Sequence, residues 1–177
     1  DELEFFIRSC HSHNIAAVKD PESVPLARIN ELVSGGLTYL QLGGTPDHPK
    51  IYLGCRRPST DGDAEYRNFY LIRPLTPKDF VDIERLTALT RIDTGRSADL
   101  PFSDEQVARF ADLESLTSLV LRVNRPITDS VLEGLSQSST LESLTLFNVQ
   151  LDARAMELIA ALPALTTLHL ENGSLAA

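Results

Sequence analysis

The chain has 177 residues, 42% of them hydrophobic, which suits one globular unit with a continuous core. Its formal net charge of -9 makes nucleic acid a poor partner, because phosphate binding needs a basic surface, and it favours a basic protein surface instead. We see no apolar run of about 18 residues and no signal peptide, so we expect no membrane partner.

The first 34 residues predict a helical N-terminal cap. Residues 2–10 place their apolar side chains on one stripe of a short helix. A second helix is predicted from about residue 21 and ends at the pair Gly35-Gly36. Because the rest of the chain is repetitive and a stack of repeats needs an end element, we interpret residues 1–34 as that cap.

A leucine pattern recurs through residues 35–177. The spacing L-x-x-L-x-L, or a looser form of it, begins at Leu37, Tyr66, Leu89, Leu116, Leu141 and Leu165. These starts are 29, 23, 27, 25 and 24 residues apart. An Asn follows each of the last three blocks, at Asn124, Asn148 and Asn172. The pattern resembles the leucine-rich-repeat signature L-x-x-L-x-L-x-x-N-x-L.

Pairs of apolar residues precede the later blocks at a fixed offset of nine and six residues, which predicts a helix that returns between strands. The pairs are Phe80 and Ile83, Val107 and Phe110, Leu132 and Leu135, and Met156 and Ile159. Signature and offset together predict an α/β leucine-rich-repeat solenoid of about six strands. It would be right-handed, with parallel strands on the concave face and helices on the convex face.

Residues 43–65 depart from this pattern. Three prolines argue against a helix there, and apolar residues at 51, 53 and 55 alternate as in a strand. We therefore predict an extended or hairpin-like segment in place of the helix, with a turn at 59–63. Two interpretations stay open, namely a degenerate repeat beside the cap or a specialised contact loop that exposes Arg56 and Arg57.

Strand positions 3, 5 and 7 of each repeat predict a partner-binding surface, because these side chains would face the concave side. The residues that we expect to contact a partner are Tyr70, Ile72, Arg91, Asp93, Val120, Arg122, Thr145, Phe147, His169 and Glu171. Aromatic residues and Arg are typical interface anchors. The alternative is that Ile72 and Phe147 are covered by neighbouring strands or by further repeats.

The stretch Ile127–Leu135 (ITDSVLEGL) resembles the I-T-D-x-x-L-x-x-L part of cysteine-containing repeats of about 26 residues. Such repeats occur in F-box-linked leucine-rich-repeat proteins and in the GALA-type bacterial effectors that mimic them. The typical Cys is replaced here, and residues 1–34 lack the Leu-Pro and the Trp of an F-box. The resemblance implies a ubiquitin-ligase substrate adaptor or a host-targeting effector.

Nothing in the sequence predicts catalysis, a metal site or a cofactor. Cys10 with its neighbouring histidines has no second Cys/His pair at zinc spacing, and no base is implied beside Cys10 or Cys55. The segment Asp61–Asp63 fits a turn better than a calcium loop. Two cysteines form no disulfide framework, so we expect free thiols.

We therefore expect a non-enzymatic module for protein–protein recognition on the concave face. It would belong to a host-targeting bacterial effector or a ubiquitin-ligase adaptor, located in the cytoplasm or secreted into a host cell. The alternatives are the substrate-binding part of an E3 ubiquitin ligase whose catalytic domain lies outside this chain, and a scaffold segment. We interpret the chain as an excerpt whose repeats are truncated at the C-terminus. Partner identity and oligomeric state stay open.

Overall fold

The computed structural model describes residues 16–17, 24–33, 35–45, 48–57, 65–71, 73, 75–95, 102–122, 127–147, 149–171 and 174–175. Its strands are β1 (Ala16–Ala17), β2 (Leu37–Thr45), β3 (His48–Arg57), β4 (Glu65–Leu71), β5 (Arg91–Asp93), β6 (Ser118–Arg122), β7 (Ser143–Phe147), β8 (Gln150–Leu151), β9 (Thr167–Glu171) and β10 (Ser174–Leu175). Its α-helices are α1 (Leu26–Leu32), α2 (Pro77–Ile83), α3 (Asp104–Ala108), α4 (Asp129–Leu135) and α5 (Ala153–Ala160), and a 3-10 turn spans Arg109–Asp112.

The main sheet is mixed. Its strand order is β1-β4-β3-β2-β5-β6-β7-β9, and β10 pairs with β8 in a separate two-stranded sheet. The strand pairs β2–β5, β5–β6, β6–β7 and β7–β9 are parallel, and their residues pair one to one. Strands β2, β3 and β4 form an antiparallel meander. The protein is therefore an α/β fold in which one half of the sheet is parallel.

The expectation that neighbouring strands are all parallel is wrong between β2 and β4. The block that begins at Tyr66 forms β4, which points in the same direction as β2 but is separated from it by the antiparallel β3, and it does not lie between β2 and β5. The physical reason is the prolines after β2. They exclude a crossover helix, and a short connection joins strands only in antiparallel order. The strand predicted from residues 51, 53 and 55 is present as β3, whereas the turn at 59–63 lies outside the described residues.

One face of the sheet packs against the helices. The apolar residues of this core alternate along the strands and recur on the helices, as at Leu40, Leu119 and Leu144 on strands and at Ile83, Leu132 and Ile159 on helices. Three aromatic rings, those of Phe80, Phe102 and Phe110, join α2 to α3 with centroid separations of 5.4, 6.0 and 5.9 Å. The helical pairs predicted at the fixed offset thus lie in or against this core.

Threonine hydroxyls connect consecutive units at the start of the parallel strands. The hydroxyl of Thr90 donates to the carbonyl of Thr38 at 3.0 Å, and that of Thr117 donates to Thr90 at 3.3 Å. The hydroxyl of Thr166 donates to the carbonyl of Glu142 at 3.1 Å. Glu142 occupies the position that is Thr in the other parallel strands. Its backbone N–H donates to the carbonyl of Thr117, but it has no hydroxyl to donate a second bond. The series therefore holds the parallel strands in register except for one missing hydroxyl.

A buried ion pair ties the segment after β4 to the start of α2. The guanidinium of Arg73 donates two hydrogen bonds of 2.7 Å to the two carboxylate oxygens of Asp79 and one of 3.2 Å to the carbonyl of Val24. Asp79 also accepts from the backbone and hydroxyl of Thr76. Burial raises the pKa of Asp79, but the hydrogen bonds from Arg73 and Thr76 outweigh it, so the pKa lies below its usual value.

The N-terminal cap stays a prediction for most of residues 1–34, which lie outside the described residues. Within the described part, Ala16–Ala17 is not helical, because β1 extends the sheet beside β4. Helix α1 is present, and it is joined to α2 by the hydrogen bond from the backbone of Ala27 to Asp82 at 3.1 Å. Across the described residues, no helix is long and apolar enough to cross a membrane.

Candidate functional site

The second face of the sheet carries the polar, charged and aromatic residues that alternate with the core leucines. We call it the open face, and its members among the described side chains are Tyr39, Gln41, Gly43, Lys50, Tyr52, Arg91, Asp93, Ser118, Val120, Arg122, Ser143, Thr145, Phe147, Thr167, His169 and Glu171. Because a strand has a side-chain period of two, the residues between successive members of a strand face the other side; they are buried in β2, β3, β5, β6 and β7, whereas Leu168 and Leu170 of β9 are each 36% exposed.

Pairing arranges these residues in three rows across the strands. The first row is Tyr39, Arg91, Ser118, Ser143 and Thr167. The second is Tyr52, Gln41, Asp93, Val120, Thr145 and His169, and the third contains Arg122, Phe147 and Glu171. Neighbours in a row are about 5 Å apart, so their side chains interact directly.

Asp93 lies at the centre of the open face and is only 4% exposed. Its Oδ1 accepts a hydrogen bond of 2.8 Å from the backbone N–H of Gly95 and lies 3.6 Å from Nε of Arg122. Its Oδ2 lies 3.9 Å from Nη2 of Arg91. A buried carboxylate requires such partners, so Asp93 fixes two guanidinium groups on neighbouring strands.

Arg122 is held from a second side by Phe147. The Cζ of Arg122 lies 3.7 Å from the centroid of the Phe147 ring, which is the stacking distance of a favourable cation–π contact. The ring itself is 7% exposed, so it supports Arg122 rather than presenting a free aromatic surface. This contact follows from register, because Arg122 and Phe147 are directly opposite on β6 and β7.

Tyr39 extends the cluster to β2. Its hydroxyl donates to Oε1 of Gln41 at 2.7 Å, and the Cζ of Arg91 lies 5.9 Å from the centroid of its ring. Burial raises the pKa of Tyr39, the carboxylate of Asp93 raises it further, and Arg91 acts in the opposite direction. The phenol therefore stays protonated near neutral pH, and it acts as a hydrogen-bond donor.

Tyr52 belongs to the open face and was missed by the sequence analysis. It lies opposite Gln41, and its ring covers Gly43 so closely that a Cβ there would be 2.8 Å from ring atom Cε2. The alternation of residues 51, 53 and 55 in β3 would have identified it, since the intervening residues must face the other side. The meander thus adds an aromatic residue to the same surface as the parallel strands.

The predicted residues fall into three groups. Arg91, His169 and Glu171 are exposed, Arg122 and Thr145 are half-buried, and Asp93, Val120 and Phe147 are buried. Tyr70 lies in β4 with its backbone opposite Tyr52, but its side chain and the whole of Ile72 lie outside the described residues. Partner binding by these residues stays a prediction. Gly95, at position 7 of the block that begins at Leu89, is a buried turn residue with a φ of 63°.

The two ends of the face differ in chemistry. On β9, Nε2 of His169 lies 3.8 Å from Oε2 of Glu171, and both side chains are exposed. Lys50 lies at the other end, opposite Gly43. Within the residues that the structure describes, no group of three or more His, Cys, Asp or Glu side chains is arranged to hold a metal ion. Of the cysteines, Cys55 is buried in β3 and forms no disulfide within the described residues, and Cys10 is outside the described part.

No family model and no curated protein matches this chain. Among solved structures, an internalin from Listeria monocytogenes is similar at 24% identity with a TM-score of 0.35. The match covers 54% of this chain and 32% of the internalin, so it spans about a third of that protein's length. A TM-score of 0.35 does not establish a shared fold.

Proposed function

We propose that this chain is a leucine-rich-repeat recognition module that binds a protein partner on the open face, which would be the concave face of a solenoid. The repeat spacing and the parallel register from β2 to β9 support the solenoid. A stack of this kind offers one extended surface, and such surfaces serve binding rather than catalysis.

The observation that carries the proposal is the preorganised cluster around Asp93. Two guanidinium groups lie within 4 Å of one buried carboxylate, and one of them is stacked on an aromatic ring. A long side chain that is already fixed loses little conformational entropy when a partner binds it. Arg and aromatic residues are also those that most often dominate binding energy in protein interfaces.

A capture experiment tests the proposal. The wild-type chain, the double variant Arg91→Gln/Arg122→Gln and the matched control Arg154→Gln are immobilised and exposed to cell lysate. Arg154 is a suitable control because it is a similarly exposed arginine on α5, away from the open face. Circular dichroism first establishes that all three are folded.

We expect the wild type and Arg154→Gln to capture the same protein from the lysate, and the double variant to fail to capture it. Capture that is the same for all three proteins, or no capture by any of them, would contradict binding on the open face. The adaptor and host-targeting effector classes are narrower forms of the proposal, supported only by the resemblance of Ile127–Leu135. Mass spectrometry of the captured protein distinguishes them, because an adaptor would retain ubiquitin-ligase components.

A further inference from the structure

Arg91 and Arg122, the two central arginines of the open face, are charged, and within the described residues the N–H groups of their side chains are not used in hydrogen bonds. Arg91 and Arg122 each have five N–H groups, and within the described residues neither side chain makes a hydrogen bond of 3.5 Å or less. Their contacts are the longer charge contacts to Asp93 and the ring contacts to Tyr39 and Phe147. The side chains of Arg91 and Arg122 are 48% and 28% exposed, so these donors are accessible to a ligand.

The local charge differs in sign from that of the whole chain. Arg91 and Arg122 contribute two positive charges and Asp93 one negative charge, so the cluster is formally +1 in a chain of net charge -9. Charges beyond about 10 Å are largely screened at physiological ionic strength, so this local balance governs a group that touches the cluster. The overall charge still opposes a polyanion such as nucleic acid.

We infer that this cluster recognises a carboxylate of the protein partner, an Asp or Glu side chain in an acidic segment that docks across β5 and β6. The inference rests on the proposed function and names its chemistry. Guanidinium groups and carboxylates form charge-assisted hydrogen bonds, and each Arg can supply two parallel donors. Asp93 cancels one of the two positive charges, so a single ligand carboxylate neutralises the cluster, whereas a doubly charged phosphate would leave it with an excess negative charge.

A titration followed by nuclear magnetic resonance tests the inference directly. The probes are two blocked peptides, acetyl-Gly-Glu-Gly-Glu-Gly-amide and its counterpart with Gln in place of Glu, and inorganic phosphate. The observed signals are the Arg Nε–Hε resonances of the folded chain, which Arg91→Gln and Arg122→Gln assign by their disappearance. Arg154 provides an internal control signal from a helix.

We expect the Glu peptide to shift the Arg91 and Arg122 signals saturably with a dissociation constant near 1 mM, about 4 kcal/mol. The Gln peptide should leave them unchanged, and either single variant should weaken binding by about tenfold. Equal shifts with both peptides, no shift below about 10 mM, or a response to phosphate alone would each overturn the inference.

The outcome is separable from that of the proposed function. If lysate capture depends on the open face but the Glu peptide shifts neither arginine, the partner binds there through other chemistry. If the peptide binds while no protein is captured, carboxylate recognition is supported and the protein-recognition role is not.

Discussion

Replacement of Arg73 by Met tests how much of the fold depends on its buried ion pair. The side chains of Arg73 and Asp79 are almost fully buried, and the two hydrogen bonds between them are both 2.7 Å long. In Arg73→Met, Asp79 keeps the bonds from Thr76 but loses its counter-charge, and the carbonyl of Val24 loses a donor. A charge left buried and unpaired in this way costs about 3–5 kcal/mol.

Loss of the pair also changes the pH dependence of stability. In the wild type the pKa of Asp79 lies below its unfolded value, so its contribution is fully present at neutral pH and is lost as the pH falls through the lowered pKa. In Arg73→Met the arginine no longer lowers the pKa of Asp79, so this pKa should be higher than in the wild type. The variant then loses less stability on acidification than the wild type, and the difference in unfolding free energy between the two proteins should shrink as the pH falls to about 4.

Urea denaturation followed by circular dichroism at pH 7 and pH 4 measures both effects. Arg154→Met is the control, because this exposed arginine forms surface ion pairs with Glu133 and Glu157, which contribute less than about 1 kcal/mol. A loss below about 1 kcal/mol in Arg73→Met, or the same loss at both pH values, would refute the role that we assign to the pair. The double variant Arg73→Met/Asp79→Leu should recover much of the stability, since it removes the unpaired charge.

Four further substitutions test the packing of the repeats by urea denaturation. Gly95→Ala should destabilise by roughly 1–3 kcal/mol or more, because Gly95 has a φ of 63° and its added Cβ would be 1.5 Å from a backbone carbonyl of β2. Leu144→Ala should cost about 2–5 kcal/mol and Leu168→Ala less than half as much, because Leu144 is fully buried whereas Leu168 is 36% exposed. Equal costs would show that exposure does not set the effect. Glu142→Thr should stabilise by about 0.5–1 kcal/mol through the missing hydroxyl bond to Thr117, and no gain would count against the threonine series.

The parallel half of the sheet could be predicted because its sequence pattern follows from its geometry. Blocks that begin at Leu116, Leu141 and Leu165 place their second and third leucines on the core side of β6, β7 and β9. The helical pairs before these blocks agree with the strands because both elements must bury their apolar sides in one core. The consistency of the two signals specified the element order along this half of the chain.

The order of the strands in the sheet could not be predicted from the same pattern. The block Tyr66-x-x-Phe69-x-Leu71 fits the repeat spacing. However, the alternation of Phe69 and Leu71 is expected of any strand, whether its neighbours are parallel or antiparallel. The position of β4, beyond β3 and not between β2 and β5, depends on the connection between β2 and β3, where prolines exclude a helix. The prolines predicted a hairpin. The order of the strands, however, depends on pairing between segments that are distant in the sequence, and a local pattern does not specify that pairing.

The open face could be assigned from alternation, but the exposure of its members could not. Asp93 and Thr145 occupy equivalent positions in the second row, yet Thr145 is half-buried and Asp93 is buried, because Gly95 turns back and donates its N–H to the carboxylate. Phe147 is buried although it faces the same side as exposed residues, because Arg122 lies on its ring. These outcomes depend on side-chain contacts between strands, which a repeat pattern places near one another without fixing their geometry.

The departures of the repeat at β5 from the pattern coincide with the cluster that we propose to bind a partner. Thr94 stands where an aliphatic residue is expected, and it is fully buried; its hydroxyl accepts the backbone N–H of Arg122 at 2.7 Å. Gly95 adopts a conformation that favours glycine, and its N–H bonds to Asp93. A buried polar residue and a buried charge each destabilise a core unless they are satisfied, and here the satisfying groups belong to Arg122 or to the turn that holds it. If this repeat only stacked on its neighbours, an aliphatic side chain at position 94 would make the fold more stable. The departure from the repeat pattern at Thr94 is therefore better explained by the placement of Arg122 than by stability.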